Sequence, residues 1–158
     1  MAIRYDDQVA IVTGSGNGLG RSHALALASR GAKVVVNDLG GSVSGDGISS
    51  AAALETVAMI EAAGGEAIAN GGNVAKMDQV EAMVAQAVEK WGRVDILVNN
   101  AGILRDKSFV KMGMDDFQLV VDVHLMGSAN CSKAVWQLMR EQGYGRIVMT
   151  TSSSGMYG

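Results

Sequence analysis

A chain of 158 residues, 48% of them hydrophobic and 18% charged, is long enough to form one domain with a substantial core. Its net charge of -3 argues against nucleic acid as a partner, and the absence of a long apolar run argues against a membrane-spanning helix. The single cysteine, Cys131, excludes an internal disulfide and is typical of a reducing compartment, so a cytoplasmic location is expected. Cys131 lies among apolar residues and is predicted to be a core residue.

Segments with strand and helix character alternate along the whole chain. Strands are predicted near residues 8–13, 33–38, 66–71, 94–99 and 145–151, and helices near 18–30, 49–63, 76–91 and 115–141. Glycines at positions 31, 64, 65, 92 and 143 stand where the helices are expected to end. This alternation predicts an α/β fold with a doubly wound parallel sheet.

A glycine-rich segment, Thr13–Gly20, connects the first predicted strand to the first predicted helix. A strand that turns through glycines into a helix directs main-chain N–H groups and the positive end of the helix dipole at one place, which suits a pyrophosphate. The strict G-x-G-x-x-G pattern is absent, and an ordinary structural turn is the alternative.

An acidic residue, Asp38, stands at the end of the second predicted strand, 24 residues after Gly14. A carboxylate at that place can accept hydrogen bonds from both hydroxyls of an adenosine ribose and would repel a 2′-phosphate. No Arg or Lys lies between Lys33 and Lys76 to bind that phosphate. The pattern therefore predicts NAD rather than NADP, with the capping of a loop as the alternative role of Asp38.

Two further motifs follow the fourth and fifth predicted strands. Asn99–Gly102 reads Asn-Asn-Ala-Gly, in which amides can tie strands together and small residues leave room for a flat cofactor. Thr150–Gly155 brings hydroxyl groups to the carboxyl edge of the sheet, where open α/β sheets bind their ligands. The alternative for Asn99–Gly102 is a simple turn, and the alternative for Thr150–Gly155 is a loop of ordinary composition.

The three motifs together resemble those of the short-chain dehydrogenase/reductase family: T-G-x-x-x-G-x-G, N-N-A-G and S-x-x-G, spread over the whole chain. The resemblance implies a Rossmann-type sheet and hydride transfer between a secondary alcohol or ketone and NAD. It also implies a homo-oligomer in which the helix near 115–141 packs against a partner. Residues 36–41, 102–109 and 123–125 are similar to the (3R)-hydroxyacyl-CoA dehydrogenase units of type 2 multifunctional enzymes, which makes an acyl-CoA a candidate small-molecule substrate.

The resemblance assigns roles to individual residues. Ser152 would donate a hydrogen bond to the reacting oxygen of the substrate. His124 stands where the family usually has an Asn whose main-chain carbonyl anchors a water, and a histidine satisfied in the core is the alternative. The implied cofactor-binding residues are Gly14, Ser15, Asn17, Gly18, Leu19, Gly20, Asp38, Asn73, Val74, Asn99, Ala101 and Gly102, of which Asn73 replaces a common Asp beside the adenine. No metal site is expected.

One part of the family pattern is not found in the sequence. The family's acid/base Tyr, in Y-x-x-x-K, stands 13 residues after the Ser, a position beyond Gly158. Tyr157 comes only five residues after Ser152 and has no Lys four residues later. The expectation is that the chain lacks the C-terminal third of a catalytic domain and is inactive alone. A binding module that holds NAD without turnover is the alternative.

Overall fold

The computed structural model describes residues 3–40 and 51–153. The start of the helix predicted near 49–63, the last two residues of the S-x-x-G motif and Tyr157 lie outside these residues. In chain order the elements are β1 (Val9–Thr13), α1 (Gly18–Ala28), β2 (Lys33–Asn37), α2 (Ala51–Ala62), β3 (Glu66–Asn70), α3 (Met77–Trp91), β4 (Ile96–Asn99), a 3₁₀ turn (Phe109–Lys111), α4 (Met114–Val121), a π-helical segment (Asp122–Met126), α5 (Gly127–Glu141) and β5 (Arg146–Met149).

The five strands form one parallel sheet in the order β3-β2-β1-β4-β5. The chain builds outward from β1 to β3 and then returns to the other side of β1, so the winding direction changes between β1 and β4. The prediction of a doubly wound parallel sheet is confirmed. Two strands are shorter than predicted, since β4 begins at Ile96 and β5 spans only Arg146–Met149.

Two apolar cores cover the two faces of the sheet. Side chains alternate between the faces along each strand, and β1 shows the division clearly. Val9 and Ile11 pack with the apolar sides of α3 and α5, whereas Ala10 and Val12 pack with those of α1 and α2. Helices on both faces explain why the middle of β2, Val34–Val36, is apolar without interruption.

The helix predicted near 115–141 is three consecutive pieces rather than one α-helix. α4 and α5 are joined by the π-helical segment, in which each turn holds an extra residue. At its end Gly127 lies so close to Val74 that a Cβ on the glycine would come within 2.7 Å of Val74 Cγ2. A hydrophobic period of 3.6 residues does not distinguish the two helix types over five residues, so the sequence pattern missed this segment.

A buried carboxylate joins the beginnings of β1 and β4. Asp95 has no exposed surface, and its Oδ2 accepts hydrogen bonds from the Val9 main-chain N–H at 2.9 Å and from Arg93 Nε at 2.8 Å. Its Oδ1 accepts from the Arg93 guanidinium at 2.7 Å. The pKa of Arg93 is raised, chiefly by this hydrogen bond to the carboxylate. The Asp95 carboxylate therefore provides an acceptor for the buried Val9 N–H group and also neutralises the charge of Arg93.

The thiol of Cys131 should be protected in the folded chain. Cys131 is buried between α5 and the sheet, and burial raises its pKa to about 12. Because an unfolded thiol ionises near pH ~8.5, the unfolded state gains stability as the pH rises above that value while the folded state stays protonated. We expect no reaction with a thiol reagent at pH ~8 until denaturant is added, and a stability that declines from there toward pH ~12.

Replacement by alanine provides the matched control for this prediction. Cys131→Ala removes the thiol, so the alkaline decline in stability should become less steep than in the unsubstituted chain. Reagent uptake by the folded protein as fast as by the denatured protein would contradict the burial of Cys131. Denaturant titrations at several pH values, read by circular dichroism, measure the stability.

Candidate functional site

A cleft of about 640 Å³ opens at the carboxyl edge of the sheet, where the winding direction changes. Open α/β sheets bind ligands at this place. The strands β1, β2 and β4 end at the cleft, and the residues that follow β3 complete its wall. The lining residues are Gly14, Asn17, Gly18, Asn37, Asp38, Leu39, Gly72, Asn73, Val74, Asn100, Ala101, Gly102, Ile103 and Val123.

The glycine turn that lines the cleft is fixed to the end of β4. Asn100 Nδ2 donates to the carbonyl oxygens of Thr13 at 2.9 Å and Gly14 at 3.0 Å. In return, Thr13 Oγ1 accepts from the main-chain N–H groups of Asn100 and Ala101, both at 3.0 Å. Gly14 has a φ of +61°, and a Cβ there would lie 2.8 Å from Ala101 Cα. A residue without a side chain is therefore required at position 14.

Asp38 directly follows β2 and lines the cleft beside the glycine turn. Its Oδ2 accepts from Gly16 N–H at 2.8 Å and its Oδ1 accepts from Gly40 N–H at 2.8 Å. Each carboxylate oxygen has a second lone pair, so both can accept a further hydrogen bond from a ligand hydroxyl. Among the described residues that line the cleft, Asp38 is the only ionisable one.

Eight of the twelve predicted cofactor-binding residues line this cleft: Gly14, Asn17, Gly18, Asp38, Asn73, Val74, Ala101 and Gly102. The other four lie nearby in different settings. Ser15 is buried beneath the turn, with its hydroxyl donating to Val12 O at 2.7 Å. Leu19 is exposed on α1, and Gly20 packs against the carbonyl oxygen of Gly14. The roles of all twelve stay predictions.

Asn99 is turned away from the cleft toward α5. Its Nδ2 donates to Ser132 Oγ at 3.2 Å and lies 3.3 Å from Met149 Sδ. Consecutive side chains along a strand point to opposite faces of the sheet. The Asn99 side chain therefore lies on the face that α5 covers, whereas Asn100 lines the cleft. The structure thus supports the tie between neighbouring elements that the sequence suggested for these amides.

The predicted catalytic residues lie on two segments at the carboxyl edge. His124 is exposed on the π-helical segment, and its Nε2 lies 3.0 Å from Ile103 N and 2.9 Å from Ile103 O. A Cβ on Gly102 would come within 2.7 Å of the same ring, so His124 is in contact with the cleft wall rather than in the core. The His124 carbonyl oxygen accepts from Ser128 Oγ at 2.7 Å. Ser152 is exposed, three residues after β5.

The wall formed after β2 and β3 contains residues that the sequence reasoning did not assign to the site. Asn37 Nδ2 donates to Asn70 Oδ1 at 2.9 Å and to Gly72 O at 2.8 Å, which holds the two strand ends together. Asn73 Oδ1 accepts from Ala75 N–H at 2.9 Å, so one of its two lone pairs is already used. The sequence feature that could have assigned Asn37 to the site is its position directly before Asp38.

The parts of the chain that the structure describes show neither a metal site nor a membrane helix. No three His, Cys, Asp or Glu side chains within residues 3–40 and 51–153 are grouped so that they could hold a metal ion. No helix in the same ranges is both long and apolar enough to cross a membrane.

Comparisons with known proteins agree with this geometry. Residues 8–158 match the short chain dehydrogenase family. Peroxisomal multifunctional enzyme type 2 of Drosophila melanogaster is 56% identical over 156 residues, which cover 99% of this chain and 26% of that protein. A 3-oxoacyl-(acyl-carrier-protein) reductase of Synechocystis is 46% identical over 151 residues, which cover 96% of this chain and 58% of that protein.

Solved structures agree as well. A 7α-hydroxysteroid dehydrogenase in complex with NADH and 7-oxo glycochenodeoxycholic acid superposes with a TM-score of 0.88 at 34% sequence identity. The match covers 98% of this chain and 57% of that one. The chain thus spans between about a quarter and just over half of the length of these three relatives.

Proposed function

Because the chain belongs to the short-chain dehydrogenase/reductase family, we propose that it forms the NAD-binding part of an oxidoreductase acting on a secondary alcohol or ketone. The observation that carries the proposal is a cleft lined by both the glycine turn and Asp38, whose carboxylate accepts from the Gly16 N–H of the turn at 2.8 Å. The dehydrogenase that was solved with NADH supports a nicotinamide cofactor for this chain.

The residues present fit a dinucleotide. The glycine turn and the beginning of α1 would hold the pyrophosphate, because they offer main-chain N–H groups and their glycines have no side chain to block the approach. Asp38 would accept from the adenosine ribose, and Asn73 with Val74 would lie beside the adenine. Ala101 and Gly102 would leave room for the nicotinamide half. Bound NAD would supply the hydride acceptor.

For the substrate we propose an acyl thioester with an oxygen at its third carbon, a class that includes a 3-hydroxyacyl-CoA. The support is the similarity to a reductase whose name specifies a 3-oxoacyl group and to a peroxisomal multifunctional enzyme. Ser152 would donate to the reacting oxygen and stabilise the charge that develops there. The His124 carbonyl accepts from Ser128 Oγ and has a second lone pair, with which it would anchor a water for proton transfer.

We further propose a homo-oligomer that forms through the outer side of α4, the π-helical segment and α5. Phe117, Leu125, Met126 and Trp136 are all exposed on these elements. Light scattering on the purified chain would measure the assembly. The compartment stays a prediction: the sequence favoured the cytoplasm, whereas the Drosophila relative is peroxisomal by name.

The test of the proposed function is the substitution Asp38→Asn. We expect NAD to bind about tenfold more weakly, because a hydrogen bond to a charged group contributes roughly 1.5 kcal/mol or more. NADP should bind more tightly than to the unsubstituted chain, because a neutral amide does not repel a 2′-phosphate. Isothermal titration calorimetry with each dinucleotide gives both dissociation constants.

Asp78→Asn is the matched control, since Asp78 is exposed in the first turn of α3 and does not line the cleft. It should leave both dissociation constants unchanged. If Asp38→Asn does not alter the ratio of NAD affinity to NADP affinity, Asp38 has no contact with the ribose. Failure of the unsubstituted chain to bind either dinucleotide would reject the proposed function.

A further inference from the structure

Side chains from α1 and α2 converge on the main chain of Gly16, the residue of the glycine turn that contacts Asp38. The Gly16 N–H donates to Asp38 Oδ2 at 2.8 Å. The Gly16 carbonyl oxygen accepts from Arg21 Nε at 2.7 Å, and Thr56 Oγ1 lies 3.2 Å from the same oxygen. Gly16 is therefore held from its amide side by the carboxylate and from its carbonyl side by a guanidinium.

The environment of Arg21 fixes its direction. Its side chain is only 19% exposed, its Nε also lies 3.0 Å from Thr56 Oγ1, and its outer nitrogen pairs with Glu55 at 2.8 Å. A planar guanidinium can donate inward and outward at once, which a single ammonium group cannot do in the same geometry. Arg21 therefore connects the glycine turn to two residues of α2.

Gly16 has little space in which to move while these contacts persist. A Cβ built on it would lie 2.7 Å from Ala52 Cβ and 2.7 Å from Asp38 Oδ2. Glycine itself has the largest choice of backbone conformations, so its orientation depends on the groups that hold it. Loss of the carbonyl contact would allow Gly16 to rotate and its N–H to leave the Asp38 carboxylate.

We propose that Arg21 is a positioning residue that sets the preference for NAD over NADP, because it fixes the Asp38 carboxylate through Gly16. The inference rests on the proposed function and extends it to a residue outside the cleft lining. Arg21 contacts neither ribose nor phosphate in this scheme. Its effect on the cofactor is transmitted through Gly16 to the Asp38 carboxylate, and the effect should therefore depend on that carboxylate.

A double-mutant cycle tests the proposal, with dissociation constants for NAD and NADP measured by calorimetry on the chain. Arg21→Ala should weaken NAD binding about tenfold and NADP binding much less, so that the ratio of the two affinities falls. In the Asp38→Asn background, Arg21→Ala should change NAD binding little, because residues that act through one contact are not additive. Arg21→Lys should give an intermediate ratio.

The matched control is Arg30→Ala, since Arg30 also donates to a main-chain carbonyl, that of Ala26 at 2.9 Å, and is exposed away from the cleft. It should leave the ratio of NAD affinity to NADP affinity unchanged.

Two outcomes would overturn this inference but not the proposed function: equal weakening of NAD and NADP binding by Arg21→Ala, or additive losses of NAD affinity in the double variant. If the unsubstituted chain does not bind NAD, both this inference and the proposed function are overturned. If Arg21→Ala does not fold, Thr56→Val and Arg21→Lys carry the same test of the ratio.

Discussion

Gly20→Ala should abolish measurable NAD binding at concentrations that saturate the unsubstituted chain. A Cβ at position 20 would overlap the carbonyl oxygen of Gly14 and come within 2.5 Å of Asn100 Nδ2. These are the groups that fix the glycine turn to β4, so α1 and the turn must separate to make room. The loss of two hydrogen bonds to a charged phosphate corresponds to about 3 kcal/mol, or roughly a hundredfold in affinity.

Stability should fall at the same time, by about 2 kcal/mol, because overpacking displaces backbone rather than a flexible side chain. Gly113→Ala is the control: Gly113 has a φ of -71°, and no atom of the described residues lies within 4 Å of the place that a Cβ would take. Calorimetric titration and urea unfolding on both variants separate the two effects. Unaltered NAD affinity in folded Gly20→Ala would remove the glycine turn from the phosphate site.

Arg93→Ala should destabilise the fold more than Asp95→Ala does. Removing Arg93 leaves a carboxylate with no exposed surface, for which the Val9 N–H is the only remaining partner among residues 3–40 and 51–153, and this costs about 3 kcal/mol. Removing Asp95 instead leaves Arg93, which is 44% exposed and can be hydrated, together with one unpaired main-chain N–H. That orphaned donor costs about 2 kcal/mol. Urea unfolding at neutral pH measures both.

The N-terminal segment contains a control with the same sequence spacing. Arg4 forms the same two contacts with Asp6, at 3.1 Å and 2.6 Å, but both side chains are more than half exposed. Because solvent screens an exposed pair, Arg4→Ala should have little effect on stability. If Arg4→Ala and Arg93→Ala lower the free energy of unfolding by similar amounts, burial of the carboxylate does not determine the loss of stability.

Much of the fold could be predicted because its signals are local. Uninterrupted apolar strands such as Val34–Val36 and glycines such as Gly92, which ends α3 with a φ of +76°, are visible in the sequence. The doubly wound parallel sheet followed from the alternation of strands and helices. The ends of β4 and β5 were less accurate, because pairing with a neighbour decides where a strand ends.

The site was predictable only in part. Asp38 and most of the glycine turn follow from motifs, whereas the face to which Asn99 points depends on the strand register. The contact of Arg21 with Thr56 joins residues 35 positions apart, and no periodicity in the sequence indicates it. Contacts between elements that are distant along the chain follow from packing, which a pattern of residue types does not specify.

The π-helical segment has a consequence for the tolerance of this region to insertions and deletions. An extra residue in a helical turn sets the helix before it about 100° out of phase with the helix after it. Deleting one residue between Asp122 and Met126 would restore continuous α-helical phase, and would carry Phe117 around the axis by that angle relative to Trp136. The outer surface shared by α4 and α5 thus depends on chain length at this point as much as on the side chains themselves.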